Sequence, residues 1–414
     1  MKISQSLDQT RINVAKATNR TTKLTKQIQS DDNILARLLK FALSVPDFRR
    51  QGKGNYCHKL SDIIILMTFA RASKCVSRAE IIEYGKHNLK KFRKMGMFMN
   101  GIPSEPTLWR IECSIDELAM ADKMHVFAHS FNKELLAEYC GMEIICIDGK
   151  AERGTVQENG RNPDIVSAYS FNTGITLATE SCQEKSNEIK AIPLLLDKID
   201  IYGKTITADA MSMQKEIVDK IRENGGNFLI ELKANQRSLR YGVEDRLKLL
   251  SPVYSYTEGP ELGHGRIETR TYRVFDGNDV IVDKSKWGGD LTIIEYEADT
   301  IKKSNGTHTL EKRFYLSSLP TNTPKLGSLI RKHWAIESMH WCLDTNLLQD
   351  KVKRKSAKAA RNLDTIQRMV HSLFSIWRGL RKKHDDKKRG MAELMRSVSV
   401  SFTKLLQFLR QKCK

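Results

Sequence analysis

Between residues 143 and 232, short apolar runs and amphipathic stretches take turns, and this alternation narrows the fold more than any other feature. Glu143-Ile-Ile-Cys-Ile-Asp148 reads as a buried strand that ends in an acid just before Gly149. Ile165 to Phe171 and Ile175 to Thr179 flank Asn172-Thr-Gly174, which gives a hairpin with an Asx/Gly turn. A helix is expected from Asn187 to Lys198, then a strand from Lys204 to Ala208 that closes on Asp209. A helix from Ser212 to Glu223 follows, stopped by Asn224-Gly-Gly226, and a strand from Asn227 to Leu232 completes the series. Strands and helices in this order specify an α/β sheet with parallel elements.

The flanks have a different texture. From Asp31 to about residue 138 the pattern is helical. Ile34, Leu35, Leu38, Leu39 and Ala42 recur at helix spacing behind a possible Asp31/Asp32 cap. Further helices are expected from Ser61 to Phe69 and from Ile115 to Leu136, with Pro103 and Pro106 marking the loop before Trp109. Residues 251–312 carry recurrent turn signals (Gly259-Pro260, Gly263, Gly265, Asp276-Gly277, Gly288-Gly289) between β-rich runs, which reads as an antiparallel insertion. A last strand, Phe314 to Ser317, leads past Pro320 and Pro324 into a helix expected from Lys325 to Leu347.

Charge adds a partner class. The chain of 414 residues carries a formal charge of +20, and the excess lies at its ends. Residues 351–414 hold 19 basic residues against four acids, and residues 1–30 hold six against one, so the middle is near neutral. Basic ends favour polyanions. No apolar h-region opens the chain and no apolar run is long enough to span a bilayer, so neither secretion nor membrane insertion is expected. The rival for the apolar and basic stretch from Met391 to Leu409 is an amphipathic helix on a membrane surface. Eight scattered cysteines without a Cys-x-x-Cys pair suit inert thiols in a reducing cytosol.

Three acids stand out. Asp148 and Asp209 close strands of the α/β region, and ligands of open α/β sheets collect at the carboxyl ends of strands. Glu337 sits on a helix whose neighbours at helical spacing are His333, His340, Trp341 and Asp344, a polar and aromatic face. Hard carboxylate oxygens from separate elements suit paired divalent ions. Zinc between His333 and His340 lacks a third soft ligand.

Five segments, taken in order, carry a resemblance. They are Asp148-Gly-Lys150 with Arg153-Gly-Thr155; Glu184-Lys-Ser-Asn-Glu188; Ala208-Asp-Ala210 with Leu232-Lys-Ala-Asn-Gln236; Gly263-His-Gly-Arg-Ile-Glu268 with Arg270; and His333-Trp-Ala-Ile-Glu337 with His340-Trp341 and Leu343-Asp344. Together they resemble insertion-sequence DDE transposases of the ISAs type and their H-repeat-associated relatives. The helical block from about Leu35 to Leu118 resembles the segment that precedes catalysis in that group.

The resemblance implies an α/β fold with an RNase H-like catalytic domain, in parts 139–250 and 313–378, interrupted by the β-rich insertion at 251–312. A helical N-terminal, DNA-binding domain at 31–138 would precede it. The resemblance leaves out the two ends, which charge alone reads as a basic flexible leader at 1–30 and a basic C-terminal tail at 379–414. It further implies that Asp148, Asp209 and Glu337 are catalytic and hold Mg²⁺, with Mn²⁺ as a substitute. Asp344 is a further candidate at the metal. The expected partner is double-stranded DNA, both transposon terminal inverted repeats and target, bound by a homodimer in the cytoplasm at the nucleoid. Expected phosphate contacts are Lys150, Arg153, Lys233, Arg266, Arg331, Lys332, His333, Lys351 and Arg354, with Arg361 and Arg381 to Lys383 extending along the backbone. A non-catalytic DNA-binding relic and a metal-dependent nuclease on the same fold remain the alternatives.

Overall fold

The computed structural model describes residues 26–28, 31–49, 57–137, 139, 141–155, 162, 164–182, 188–281, 286–351, 353–380 and 390–412. The expectations for most of the leader, for Glu184 to Asn187 and for Arg381 to Lys383 lie outside the described residues.

Six helices come first: α1 (Ile34–Ser44), α2 (Leu60–Ala72), α3 (Arg78–His87), α4 (Leu89–Lys94), α5 (Glu105–Ser114) and α6 (Glu117–Leu136). Side chains at their starts satisfy backbone N–H groups that no helical carbonyl can reach. Asn33 accepts from the N–H of Ala36, Ser77 and Glu80 form a reciprocal capping box, and Asp116 accepts from Leu118 and Ala119. Helix α2 is buried on every side, which makes it the axis of the block. The expected loop holds Pro103 and ends at Ser104; Pro106 lies in the first turn of α5, where its missing N–H costs nothing, so Trp109 is helical.

The sheet follows, with β1 (Ile144–Ala151), β2 (Asp164–Ser170), β3 (Ile175–Ser181), α7 (Glu188–Leu196), β4 (Thr205–Ala208), α8 (Lys215–Glu223), β5 (Asn227–Leu232) and α9 (Arg237–Leu247). Four long strands come next: β6 (Tyr254–Gly263), β7 (Arg266–Asp276), β8 (Thr292–Lys302) and β9 (His308–Ser317). All nine strands form one sheet in the order β3-β2-β1-β4-β5-β9-β8-β7-β6. The β1/β4 and β4/β5 pairs are parallel, and the other pairs are antiparallel.

The stretch expected as an insertion is therefore continuous with the strands before it. Strand β9 pairs with β8 along its length, while Phe314 to Ser317 also pair with Leu229 to Leu232 of β5. The expected boundary at residue 312 runs through the middle of this strand. A tyrosine ladder braces the long strands: Tyr256 stacks on Tyr272 with ring centroids 4.8 Å apart, and Tyr272 meets Tyr296 at 5.5 Å.

Beyond β9, the helix expected from Lys325 splits in two. Leu326–His333 forms 3₁₀ turns, and α10 (Trp334–Thr345) continues as an α-helix. The cause is local packing. Gly327 lies directly on the Tyr272 ring, where a Cβ would collide, and the Ser328 N–H donates to the Tyr256 hydroxyl at 2.7 Å.

Helix α11 (Ala357–Leu380) joins the helical block to the sheet. The Asn362 amide donates to the carbonyls of Glu112 and Ile115, both at 3.1 Å, and the Thr176 N–H donates to Ser372 Oγ at 3.2 Å. A single apolar core runs through both blocks. Helices α12 (Met391–Ser399) and α13 (Phe402–Leu409) replace the expected C-terminal tail wherever that stretch is described. Leu394, Met395, Val398, Phe402, Leu405, Phe408 and Leu409 are all buried, so the amphipathic face read as a membrane candidate packs on protein. Among the described residues no helix is long and apolar enough to cross a membrane.

Candidate active site

Strand register brings the first two acids together. Ile147 of β1 pairs with Ala208 of parallel β4, so Asp148 and Asp209 come next on adjacent strands. Side chains alternate along a strand, so these carboxylates share the face that carries Cys146 and Thr207. Asp148 lies inside β1 rather than at its end, because the β2 pairing continues to Ala151. Asp209 follows β4 directly and caps a 3₁₀ turn, its Oδ1 accepting from the Ser212 N–H at 3.3 Å and hydroxyl at 3.1 Å.

Residues 326–345 cover that face. The Cys146 thiol donates to the Lys332 carbonyl at 3.3 Å, and Thr207 Oγ1 lies 3.1 Å from His333 Nδ1. His340 Nδ1 stands 3.4 Å from Asp148 Oδ2. One turn earlier on α10, Glu337 faces a cavity of about 110 Å³ shared with Asp209, Glu231, Lys233, Arg313 and His333. Burial, and then the charge of Asp148, pushes the Glu337 carboxyl up, while Arg313 and Lys233 oppose the shift. Burial also lowers His333 and His340, so both are neutral near pH 7.

A fourth acid joins them. Glu188, the first residue of α7, is pushed up by burial and then by Asp148, Asp209 and Asp164. Its carboxylate lies against Gly149, in the space a Cβ would fill. The sequence motif contained Glu188, but nothing in its spacing showed that it would reach the two aspartates. Arg313, on the strand returning from the insertion, carried no motif at all. The four acids are neighbours, yet among the described residues no three His, Cys, Asp or Glu side chains already form a ligand set.

The expected basic contacts divide. Lys150 is buried and pairs with Asp344 at 2.8 Å and Asp350 at 3.4 Å, and Asp344 thereby serves Lys150 rather than the acid cluster. Arg354 is buried on Glu112 at 3.0 Å. As phosphate contacts these two are corrected, because burial in ion pairs withdraws both cations from the surface. Arg361 likewise pairs with Glu117 at 3.2 Å. His333 is turned to Thr207. Lys332 lies 5.3 Å from the Phe171 ring. Arg153, Lys351, Lys233 and Arg266 are exposed and Arg331 is half-buried, the last three beside Glu231, Glu268 and Glu261 in that order.

A groove of about 1070 Å³ runs past Glu337, with Arg266, Arg313, Arg378, Trp334 and Trp341 on its walls. Trp341 is 64% exposed there. The six described cysteines are free thiols.

The family described as "Transposase DDE domain" matches residues 140–373, which hold all four acids, and a family described as "DDE_Tnp_1-associated" matches residues 40–128. The chain belongs to the insertion-sequence DDE transposases. The transposase is 33% identical to the "Putative transposase YncI" of Escherichia coli O157:H7, over 81% of its own length and 87% of that protein. It is 31% identical to the "H repeat-associated putative transposase YhhI" of Escherichia coli K12, over 84% and 94% respectively. A solved piggyBac transposase synaptic complex with hairpin DNA aligns with a TM-score of 0.45 at 11% identity, over 94% of this chain and 81% of that one, below the level that establishes a common fold.

Proposed function

We propose that this transposase cleaves the ends of its element and joins the freed 3′-hydroxyls to target DNA by phosphoryl transfer, with Asp148, Asp209 and Glu337 as the catalytic acids. The observation that carries the reading is the in-register placement of Asp148 and Asp209, with Glu337 and Glu188 brought to the same face. The order β3-β2-β1-β4-β5, with three antiparallel strands followed by two parallel ones, supports an RNase H-like core.

The donors fit divalent magnesium, or manganese in its place. All are hard carboxylates on separate elements, and burial, followed by repulsion from the neighbouring aspartates, raises Glu337 and Glu188. When bound, the ions supply Lewis acidity toward the attacking and leaving oxygens. The chain's residues do the rest. Ser212 fixes the rotamer of Asp209, and His340 holds Asp148 through a hydrogen bond. Lys233 and Arg313 stand beside the acids, where they balance phosphate charge. Arg153, Arg266, Arg331, Lys332 and Lys351 track the DNA backbone. Joining two ends requires two active sites, hence a homodimer on the terminal repeats, working on nucleoid DNA in the cytoplasm.

Incubation with inverted-repeat DNA and Mg²⁺ tests this, with nicked ends and strand-transfer products as readouts. Asp148→Ala and Glu337→Ala should abolish both products. Undiminished cleavage by either variant overturns the site. Cleavage without joining identifies a nuclease, and binding without cleavage identifies a DNA-binding relic.

A further inference from the structure

A second cleft, of about 570 Å³, opens between α9 and the Lys286-Trp287 loop. Its described lining holds three cations, Arg237, Arg246 and Lys286, and no carboxylate. None of the three takes part in an ion pair among the described residues. By contrast, Lys233 is paired with Glu231 and Arg266 with Glu268. Trp287, 2% exposed, forms an aromatic wall, and Lys286 Nζ sits 4.8 Å from its ring centroid.

The cleft is joined to the catalytic loop. Gln236 lines it, accepts from Lys286 Nζ at 3.2 Å, and donates from Nε2 to the Met213 carbonyl at 2.7 Å. The neighbouring Asn235 donates to the Ala210 carbonyl. Together the two amides hold the turn that follows Asp209. Lys233, three residues before Gln236, lines the acid cavity. Residues 233–236 thus link the acid cavity, through Lys233, to the cleft, through Asn235 and Gln236.

We infer that this cleft binds the phosphodiester backbone of the DNA strand that leaves the catalytic acids. This rests on the DNA-processing reading above. Three cations in one cleft, none held in an ion pair with a carboxylate, suit phosphate, and the buried Trp287 keeps Lys286 in place. The clamp of Asn235 and Gln236 ties occupancy of the cleft to the position of Asp209, so Gln236 acts as a positioning residue.

The test uses the full chain carrying Asp148→Asn, without metal, so that only binding is read. Affinity for duplexes of increasing flank length is followed by fluorescence anisotropy across a salt series. Each neutralised phosphate contributes about 0.9 to the slope of log affinity against log salt. Arg246→Gln and Lys286→Gln should each lower that slope by about 1, and the double variant by about 2. Arg246→Lys should restore it, which separates lost charge from misfolding. Slopes equal to the parent's overturn the inference. A free deoxynucleoside monophosphate that competes fully, with no dependence on flank length, also overturns it and makes the cleft a mononucleotide site. Cleavage by the Asp148→Asn chain in a parallel sample with Mg²⁺ would instead overturn the catalytic reading and leave the binding result standing.

Discussion

Phe402→Ala probes the docking of the C-terminal helices. Phe402 is 4% exposed, with ring centroids 5.2 Å from Phe92 and 5.8 Å from Phe69, both in edge-on contact. Truncating a buried phenylalanine costs about 3–5 kcal/mol through lost burial and the cavity left behind. The surrounding helices are held by their own packing and cannot close the gap, so about 4 kcal/mol is expected within that range. Helix α13 has eight residues, too few to persist undocked. The loss should therefore appear as local opening of α12 and α13 rather than global unfolding. Amide hydrogen exchange reads this directly. At about 1.4 kcal/mol per tenfold, protection across residues 391–409 should fall by roughly three orders of magnitude, while β1 and β4 keep theirs. Lys404→Ala, on the exposed side of α13, serves as the control. Protection within threefold of the parent would refute the argument, because the two aromatic contacts would not be holding the helices.

Three further outcomes follow from individual contacts. Gly149→Ala places a methyl where the Glu188 carboxylate lies, so metal-dependent cleavage should drop at least tenfold while the melting temperature moves little; unchanged cleavage would remove Glu188 from the site. Arg354→Met strips the buried Glu112 of its 3.0 Å partner and leaves Arg78 at 3.4 Å, a loss of about 2–3 kcal/mol by denaturant titration, recovered in part by adding Glu112→Gln. Asp62, buried with an oxygen 3.0 Å from the Phe98 N–H, is raised to about 6 by burial, against about 3.9 when unfolded. Its folded form therefore prefers the proton. The stability it contributes is complete below about pH 4 and is lost as pH rises through 6, a change of about 3 kcal/mol. Asp62→Asn keeps an acceptor without a charge, so its stability relative to the parent should rise over that interval; parallel profiles would show that Asp62 does not titrate with folding.

Between residues 143 and 232 the sequence could be read almost directly, because each element declares itself locally. A strand such as Thr205 to Ala208 needs only its own apolar run, and its acid stands at the next residue. Register does the remaining work, since pairing Ile147 with Ala208 makes neighbours of two aspartates sixty-one residues apart. What stayed hidden depends on distant partners. The burial of Lys150 rests on Asp344 and Asp350, which local spacing cannot bring to it. The continuity of the insertion with the sheet rests on four residues of β9 finding β5. The C-terminal stretch read as a basic tail because its charge is dense, while its apolar positions, Leu394, Val398, Phe402 and Leu405, had no visible partner until Phe69 and Phe92 supplied one.

Glu188 shows why a motif and a site are different things. On the sequence it is one acid in a polar stretch. In the fold it opens α7 at the edge of the aspartate face, where Gly149 leaves room for its carboxylate. Burial and then three aspartates, Asp148, Asp209 and Asp164, raise its affinity for a proton. A carboxylate whose charge is disfavoured in this way gains most from a cation. The glycine in Asp148-Gly-Lys150 thus has a physical reason tied to the acid cluster rather than to a turn, because β1 runs straight through it.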